Sequence, residues 1–405
     1  MKVYDELMAR GFIKQETDSE NIKKLLNETK TSMYVGFDPT KASMHIGHLI
    51  PVMILAHLQR AGHKPICIVG GGTAMIGDPS GKDSMREMLT EEAIDFNVQG
   101  IKRQLSSFIN FDNDKALLLN NWDWIKEQNY INFLREIGPH FTVNRMLSAE
   151  CFKVRWEKGL TFLEFNYMLL QAFDFFVLNE KYDCTLEIGG DDQWSNILAG
   201  VELIRRKKQK QAYGLTAPLM TKSDGKKMGK TESGAIWIDP ELTSAYDYFQ
   251  FWRNTLDADV TKFMKLYTFM PLDEISKFEK LEGSELNMAK EVLAYEATKI
   301  VHGEERAKEA MESSKKIFSG QSLDGAPEVE ISKSEIEGIS VSDLTVKAGV
   351  FASKGEAKRM ISQGGVSIND FKVSDFNELI DDKHMAGDFI PVKVGKKKFI
   401  KVKLI

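Results

Sequence analysis

Two histidines, His45 and His48, stand in the stretch Met33-Tyr-Val-Gly-Phe-Asp-Pro-Thr-Lys-Ala-Ser-Met-His-Ile-Gly-His48. The stretch reads as a strand handing over to a helix. A helix N-terminus offers unpaired N–H groups and a partial positive charge, so this junction suits a phosphate. A turn with two surface histidines is the plainer alternative. Lys82 and Arg86 follow in a polar stretch, and Lys226, Lys227 and Lys230 crowd a glycine-containing loop at 222–231. Such cations neutralise phosphates or merely face water. Asp192 and Gln193 follow glycines at a strand's end, where a carboxylate can accept from ribose hydroxyls; Asp78 is a further polar group at a strand end, and Asp38 stands in a turn. Tyr167, Gln171 and Asp174 fall at i, i+4 and i+7, on one face of a helix. The run around them, Thr161 to Leu178, is apolar on nearly every side. An aspartate among phenylalanines needs partners, because a buried polar group left unpaired costs ~1–3 kcal/mol. An internal hydrogen-bond network would supply them, and so would a small pocket for a polar ligand.

The elements that must hold these groups can be read from spacing. Met33–Phe37 is a buried strand, stopped by Asp38-Pro39-Thr40. Ile50, Met53, Ile54, Leu55 and Leu58 recur with helical spacing, Pro51 falls in the first turn, and Gly62 marks the end. Ile66–Val69 is the next strand and runs into Gly70-Gly-Gly-Thr-Ala-Met-Ile-Gly-Asp-Pro-Ser-Gly-Lys82. That loop is neither a P-loop nor a dinucleotide fingerprint. A P-loop would need glycine where Ile76 stands and Ser or Thr where Asp83 stands, and the fingerprint would need a small residue at Met75. Its glycines more simply let backbone approach a ligand. Leu186–Ile188 is a further strand, ending in Gly189-Gly190. Residues 91–150 read as mainly helical. The order strand, helix, strand, glycine loop predicts a parallel α/β sheet with ligands at the carboxyl ends of its strands.

Two segments carry a family resemblance. His45-Ile46-Gly47-His48 resembles the HIGH signature of class I aminoacyl-tRNA synthetases, and Lys227-Met228-Gly229-Lys230-Thr231 resembles their KMSKS loop. With the other segments, the chain resembles the bacterial type of tyrosyl-tRNA synthetase over nearly its whole length. The resemblance implies a Rossmann-like catalytic domain over 1–232. A helical insertion at about 120–160 would contribute to a homodimer interface. A helical domain over 233–320 would meet the anticodon region of tRNA. It implies that tyrosine, ATP and tRNA(Tyr) are the substrates, with Mg²⁺ accompanying ATP, no tightly bound cofactor and no protein metal cage. By the same resemblance His45, His48 and Thr40 meet the phosphates, and Lys82, Arg86, Lys227 and Lys230 close over pyrophosphate. Tyr34 and Asp174 take the tyrosine hydroxyl. Asp78, Tyr167 and Gln171 take the ammonium group. Gly36, Asp38, Gly190, Asp192, Gln193 and Thr231 line the nucleotide side. Relatives often carry Gln in place of Glu187 and Ser in place of Asp191, so one wall of the pocket is expected to be more negative here. The tryptophanyl relatives share both signatures, and Tyr34 with Asp174 favours a phenol over an indole.

Composition agrees with a multidomain globular chain: 405 residues, 42% hydrophobic and 28% charged. No apolar run nears the ~18 residues of a membrane span. The first residues show no leader, and the lone cysteines Cys67, Cys151 and Cys184 suggest a reducing compartment, so a cytoplasmic location is expected. The net charge of −5 hides an asymmetry. Residues 341–405 hold twelve Lys or Arg against eight Asp or Glu, which makes them +4 and the remainder −9. Gly320–Pro327 is linker-like, and a linker is expected over 321–340. The tail opens with a capping-box pattern at Ser353-Lys-Gly-Glu356. It continues through Gly364-Gly365 into a hairpin at Val366–Asp370. It resembles the small α+β S-four-type RNA-binding module, with Lys354, Lys358 and Arg359 as RNA contacts.

Overall fold

The computed structural model describes residues 1–80, 82, 84, 89–221, 223, 230–231, 234–319, 328–336, 338–369, 371–395 and 398–405. Two compact units emerge, one of residues 1–243 with 255–289, the other of 244–254 with 290–405.

The first unit is built on a six-stranded sheet. Its strands are β1 (Gln15–Glu16), β2 (Ser32–Phe37), β3 (Lys64–Val69), β4 (Leu117–Asn120), β5 (Cys184–Gly190) and β6 (Tyr213–Ala217), in the order β1-β6-β5-β2-β3-β4. All neighbours are parallel except β1, which runs antiparallel to β6. The central strands are buried on both faces, which is why β3 reads as an unbroken apolar run. β4 lies inside a stretch expected to be mainly helical; its Leu117-Leu-Leu is too short to declare itself. The Leu49–Arg60 helix follows β2 and ends before Gly62, which adopts φ +90°. Nearly all of its residues are buried, so it packs as a core helix rather than a surface one. The Tyr167–Tyr182 helix packs against the sheet with Phe175, Leu178 and Ala172 fully enclosed.

A short pair, β7 (Lys230–Thr231) with β8 (Gly234–Ala235), follows β6. Beyond it, Ile46 N–H donates to Ile236 O (3.1 Å) and Ile238 N–H to Met44 O (2.9 Å). The chain after residue 235 is thereby bonded directly to the histidine segment.

In the second unit, the Ala245–Arg253, Leu286–His302 and Glu304–Ser319 helices bury Tyr248, Phe249, Trp252, Leu293 and Ala297. Gly303 (φ +88°) separates the last two helices. The C-terminal part holds β9 (Glu328–Ile331), β10 (Val366–Ile368), β11 (Phe371–Lys372), β12 (Phe389–Val394) and β13 (Lys398–Leu404), in the order β11-β10-β12-β13-β9. Val341, Leu344, Ile361 and Ile390 belong to its core. The expected linker is corrected here. Residues 328–331 pair in parallel with β13, so residues 328–340 belong to the module; 321–327 lie outside the described residues. They add four glutamates and one lysine, which brings residues 328–405 to +1 rather than +4. Glu328 and Glu330 sit beside Lys401 and Lys403 at 3.0–3.3 Å. Lys354, Lys358 and Arg359 are exposed on the Lys354–Ser362 helix, capped by Ser353 Oγ, which accepts from Glu356 N–H.

No helix among the described residues is long and apolar enough to cross a membrane.

Candidate active site

A cavity of about 900 Å³ opens at the carboxyl ends of β2, β3 and β5, within the first unit. Its mouth carries His45, His48, Thr40 and Lys82; one wall carries Gly36, Asp38, Gly190, Asp192 and Gln193; its floor carries Tyr34, Asp78, Tyr167, Gln171 and Asp174. The described side chains singled out from the sequence at this end of the sheet meet the same space, Asp191 excepted. Arg86 and Lys227 lie outside the described residues, and of Lys230 and Thr231 only the backbone, in β7, is described.

The histidine turn is held by its own rings. His45 Nδ1 accepts from Gly47 N–H (3.0 Å), and His48 Nδ1 accepts from His45 N–H (3.1 Å). A ring nitrogen that accepts carries no proton, so each neutral imidazole bears its proton on Nε2. The rings stack with centroids 4.0 Å apart. Two N–H donors thus stand at the mouth in a fixed tautomer. Lys41 covers the Trp237 ring beside them, Nζ 5.2 Å from its centroid.

The carboxylates are tied into the wall. Asp38 accepts from Thr73 Oγ1 (2.7 Å) and from the Tyr167 hydroxyl (2.8 Å), which joins the Tyr167–Tyr182 helix to the end of β2. Asp78 accepts from Ser80 N–H (2.9 Å) and from Gln193 Nε2 (2.7 Å), which joins the glycine loop after β3 to the turn after β5. Burial and the nearby Asp78 carboxylate raise the Asp192 pKa, and Lys82 opposes the rise. A Cβ on Gly36 would meet no protein atom within 4 Å, so the missing side chain leaves room over the strand for a flat ligand.

The floor is the driest part. Asp174 is 4% exposed and accepts from Asn121 Nδ2 (2.9 Å) and from Trp124 Nε1 (2.8 Å). Burial nevertheless pushes its pKa up to about 8; those two donors pull it down, and the Asp38 and Glu187 carboxylates push it further up. Tyr34 lies beside it, 2% exposed, with a hydroxyl that has no hydrogen-bond partner. Gln171 Nε2 donates to Glu187 Oε1 (3.0 Å), and burial lifts the Glu187 pKa to about 7. The internal network and the polar pocket are thus one object: the network positions Asp174, and the pocket exposes it.

The sequence does not show Asn121 and Trp124 as partners of Asp174. Both reach Asp174 from 50 residues or more away, and no local spacing signals that. The two departures in the wall resolve differently. Glu187 faces the cavity. Asp191 instead accepts from Gln15 Nε2 (2.7 Å) and Thr216 Oγ1 (2.8 Å), so it braces β1 and β6.

Comparison with known proteins bears on what this cavity serves. Residues 26–319 match the class I tRNA synthetases (W and Y), and residues 319–402 match the SYY-like C-terminal domain of tyrosine–tRNA ligases. The chain is 56% identical over 402 residues to tyrosine–tRNA ligase 1 of Clostridium acetobutylicum, covering 99% of this chain and 98% of the relative. The chain belongs to the tyrosine–tRNA ligase family. A tyrosine–tRNA ligase of Clostridium botulinum is 55% identical over the same length. Among solved structures, a C-terminally truncated mitochondrial tyrosyl-tRNA synthetase of Aspergillus nidulans aligns with TM-score 0.70 and 29% identity, over 78% of this chain and 94% of that one. A tryptophanyl-tRNA synthetase of Encephalitozoon cuniculi shares the fold at TM-score 0.57 and 15% identity. The fold alone therefore does not separate the two branches of the family. The sequence relatives do, and they lie in the tyrosine branch.

Proposed function

We infer that this chain joins tyrosine to tRNA in two steps. The tyrosine carboxylate attacks the α-phosphate of ATP and expels pyrophosphate, and a terminal ribose hydroxyl of tRNA(Tyr) then takes the tyrosyl group and releases AMP. The observation that carries the amino-acid side is the dry floor, where Asp174 and the unpartnered Tyr34 hydroxyl lie side by side. Those groups suit a phenolic hydroxyl, and an indole would leave one of them unpaired.

The arrangement of the cavity supports a role for each group. Asp78, Tyr167 and Gln171 ring the place of the ammonium group; the Gln171 Oε1 atom is buried without a partner and can accept from it. Gly36, Asp38, Gly190, Asp192 and Gln193 leave space and acceptors for adenosine. The two Nε2–H groups of His45 and His48, with Thr40 and Lys82, stand where charge grows on the phosphates. A displacement at phosphorus needs little covalent help from a protein, so positioning and charge stabilisation suffice. Mg²⁺ would arrive with ATP as part of the substrate, and Arg86, Lys227, Lys230 and Thr231 would complete the phosphate side.

Exposed Tyr130, Ile131, Val143 and Trp156 in the region expected to pair subunits support a homodimer. The exposed Lys354, Lys358 and Arg359 support tRNA contact by the C-terminal module. A cytoplasmic location fits both substrates. ATP–pyrophosphate exchange with tyrosine, phenylalanine and tryptophan supplied separately tests the reading. Exchange with tyrosine alone is expected; exchange with tryptophan would overturn the assignment of the floor.

A further inference from the structure

The pocket floor contains one carboxyl group more than the recognition of a phenol calls for. Glu187 lies on β5 directly beside Tyr34 on β2, the two being paired across the sheet, so both side chains leave the same face. It is fully enclosed. One of its oxygens takes the Gln171 amide, and the other, Oε2, has no hydrogen-bond partner. The Trp194–Lys208 helix lies behind it. It presents Gly200, where even a Cβ would come within 3.1 Å of Oε2, and Phe175 of the neighbouring helix closes the gap. The ionisable groups acting on Glu187 and its neighbour are therefore few: Tyr34 from β2, Asp174 from the Tyr167–Tyr182 helix and Cys184 on β5 itself, with Asp38 acting on Asp174. Tyr34 is the one hydroxyl beside the vacant oxygen.

Given that tyrosine binds with its hydroxyl between Tyr34 and Asp174, the reading on which this inference rests, four oxygen-bearing groups stand in a row. They are Glu187, Tyr34, the substrate phenol and Asp174. Three links join them, and the two hydroxyls supply only two protons. The third proton must come from a carboxyl group at one end. With both carboxylates ionised, one link is a contact between two acceptors. With both protonated, one proton is left over.

We propose that Glu187 is a specificity-determining residue of this pocket, sharing a single proton with Asp174 through the Tyr34 and substrate hydroxyls. The proton is held at whichever end sets the direction of the chain and is not transferred during the reaction. A phenylalanine side chain breaks the row in its middle. It leaves the Tyr34 hydroxyl facing Glu187 alone and removes the link to Asp174, so two of the three links are lost in a dry site and the penalty reaches beyond one lost hydrogen bond. A glutamine in place of Glu187, as relatives often carry, would supply the third proton from its own amide and need none from solution. The raised pKa values of both carboxyl groups place this shared proton in the range where it is lost just above neutrality.

The test is the number of protons taken up when tyrosine binds. It is measured on the full chain by calorimetry in two buffers of different ionisation enthalpy near pH ~8.5. The wild-type chain is expected to take up about half a proton or more per tyrosine. Glu187→Gln is expected to take up none or to release a fraction, with tyrosine still bound; the ammonium of tyrosine contributes equally to both and drops out of the difference. Equal proton counts in the two proteins would overturn the proposal. If Glu187→Gln does not fold, the wild type alone decides: tyrosine affinity that stays level from pH ~7 to ~9 refutes the shared proton, and affinity falling by about tenfold per unit above pH ~8 supports it. A wild-type chain that binds no tyrosine would refute the underlying reading instead.

Discussion

Replacing Asp174 by asparagine should make the protein more stable and less selective at once. The carboxyl group is buried, and its pKa rises from 3.8 to about 8. The folded state therefore holds a proton that the unfolded chain would release. For such a group the stabilising contribution is complete below about pH 4 and is lost as the pH climbs to about 8. At about 1.36 kcal/mol per unit, ionisation of the unfolded chain costs the native state about 4 kcal/mol at pH 7. Asparagine does not titrate and removes that cost. It introduces another, because Asn121 Nδ2 and Trp124 Nε1 reach different carboxyl oxygens and one of them then faces an NH₂ group, at ~1–3 kcal/mol. The variant should be more stable by about 1–3 kcal/mol at pH 7. Its advantage should grow by about 2–3 kcal/mol between pH ~5 and ~7. The substrate hydroxyl meanwhile loses its carboxyl partner. That should lower the ratio of kcat/KM for tyrosine over phenylalanine in pyrophosphate exchange by about ten- to hundredfold. The full discrimination of about 10⁴–10⁵ belongs to this enzyme class rather than to this cavity. Urea unfolding of both proteins, followed by tyrosine-pocket tryptophan fluorescence at the two pH values, reads the first effect. A stability difference that does not change with pH would refute the assignment of a buried, proton-holding Asp174. Unchanged selectivity would refute its role toward the hydroxyl.

Trp124→Phe removes one donor to Asp174 while keeping an aromatic ring, and should raise KM for tyrosine about tenfold with a smaller change in kcat; an unaltered KM would mean that the indole N–H does not position the carboxyl group. Tyr34→Phe should weaken tyrosine more than phenylalanine, measured by the same exchange assay, and equal losses for both would count against contact with the hydroxyl. His45→Ala removes both a phosphate-facing N–H and the cap on Gly47 N–H. It should lower kcat by about 10²-fold or more while equilibrium tyrosine binding stays within about twofold. Deleting residues 320–405 should leave pyrophosphate exchange intact and reduce tRNA charging. A cut at 341 should instead impair solubility, because it leaves β9 without its partner β13, and the two truncations compared by exchange and light scattering would show it.

What the sequence disclosed was what lies close together along it. Met33–Phe37, the turn at Pro39 and the helical spacing from Ile50 to Leu58 are local signals, and the strand–turn–helix they specify carries His45 and His48 to the cavity. The i, i+4, i+7 relation of Tyr167, Gln171 and Asp174 is likewise local, and all three side chains share the floor. The residues that hold Asp174 are not local to it. Asn121 and Trp124 follow β4, and only the folded sheet brings them beneath the Tyr167–Tyr182 helix. Glu187 was visible as a departure from the family, yet its bond to Gln171 depends on how a strand and a helix face each other. Residues 328–340 were misread for the same reason. A parallel pairing between β9 and β13 spans about 70 positions and leaves no turn to announce it.

The histidine segment has a self-sufficiency that reaches beyond its chemistry. Each imidazole spends its Nδ1 atom on a backbone N–H of the turn and carries its proton on Nε2. The four residues thus carry part of their own scaffold, and the bond from Ile46 N–H to Ile236 O ties it to the chain after β8. The turn and the phosphate-facing N–H groups are therefore a single part, to be kept or lost as a whole, and a short string of letters suffices to write it.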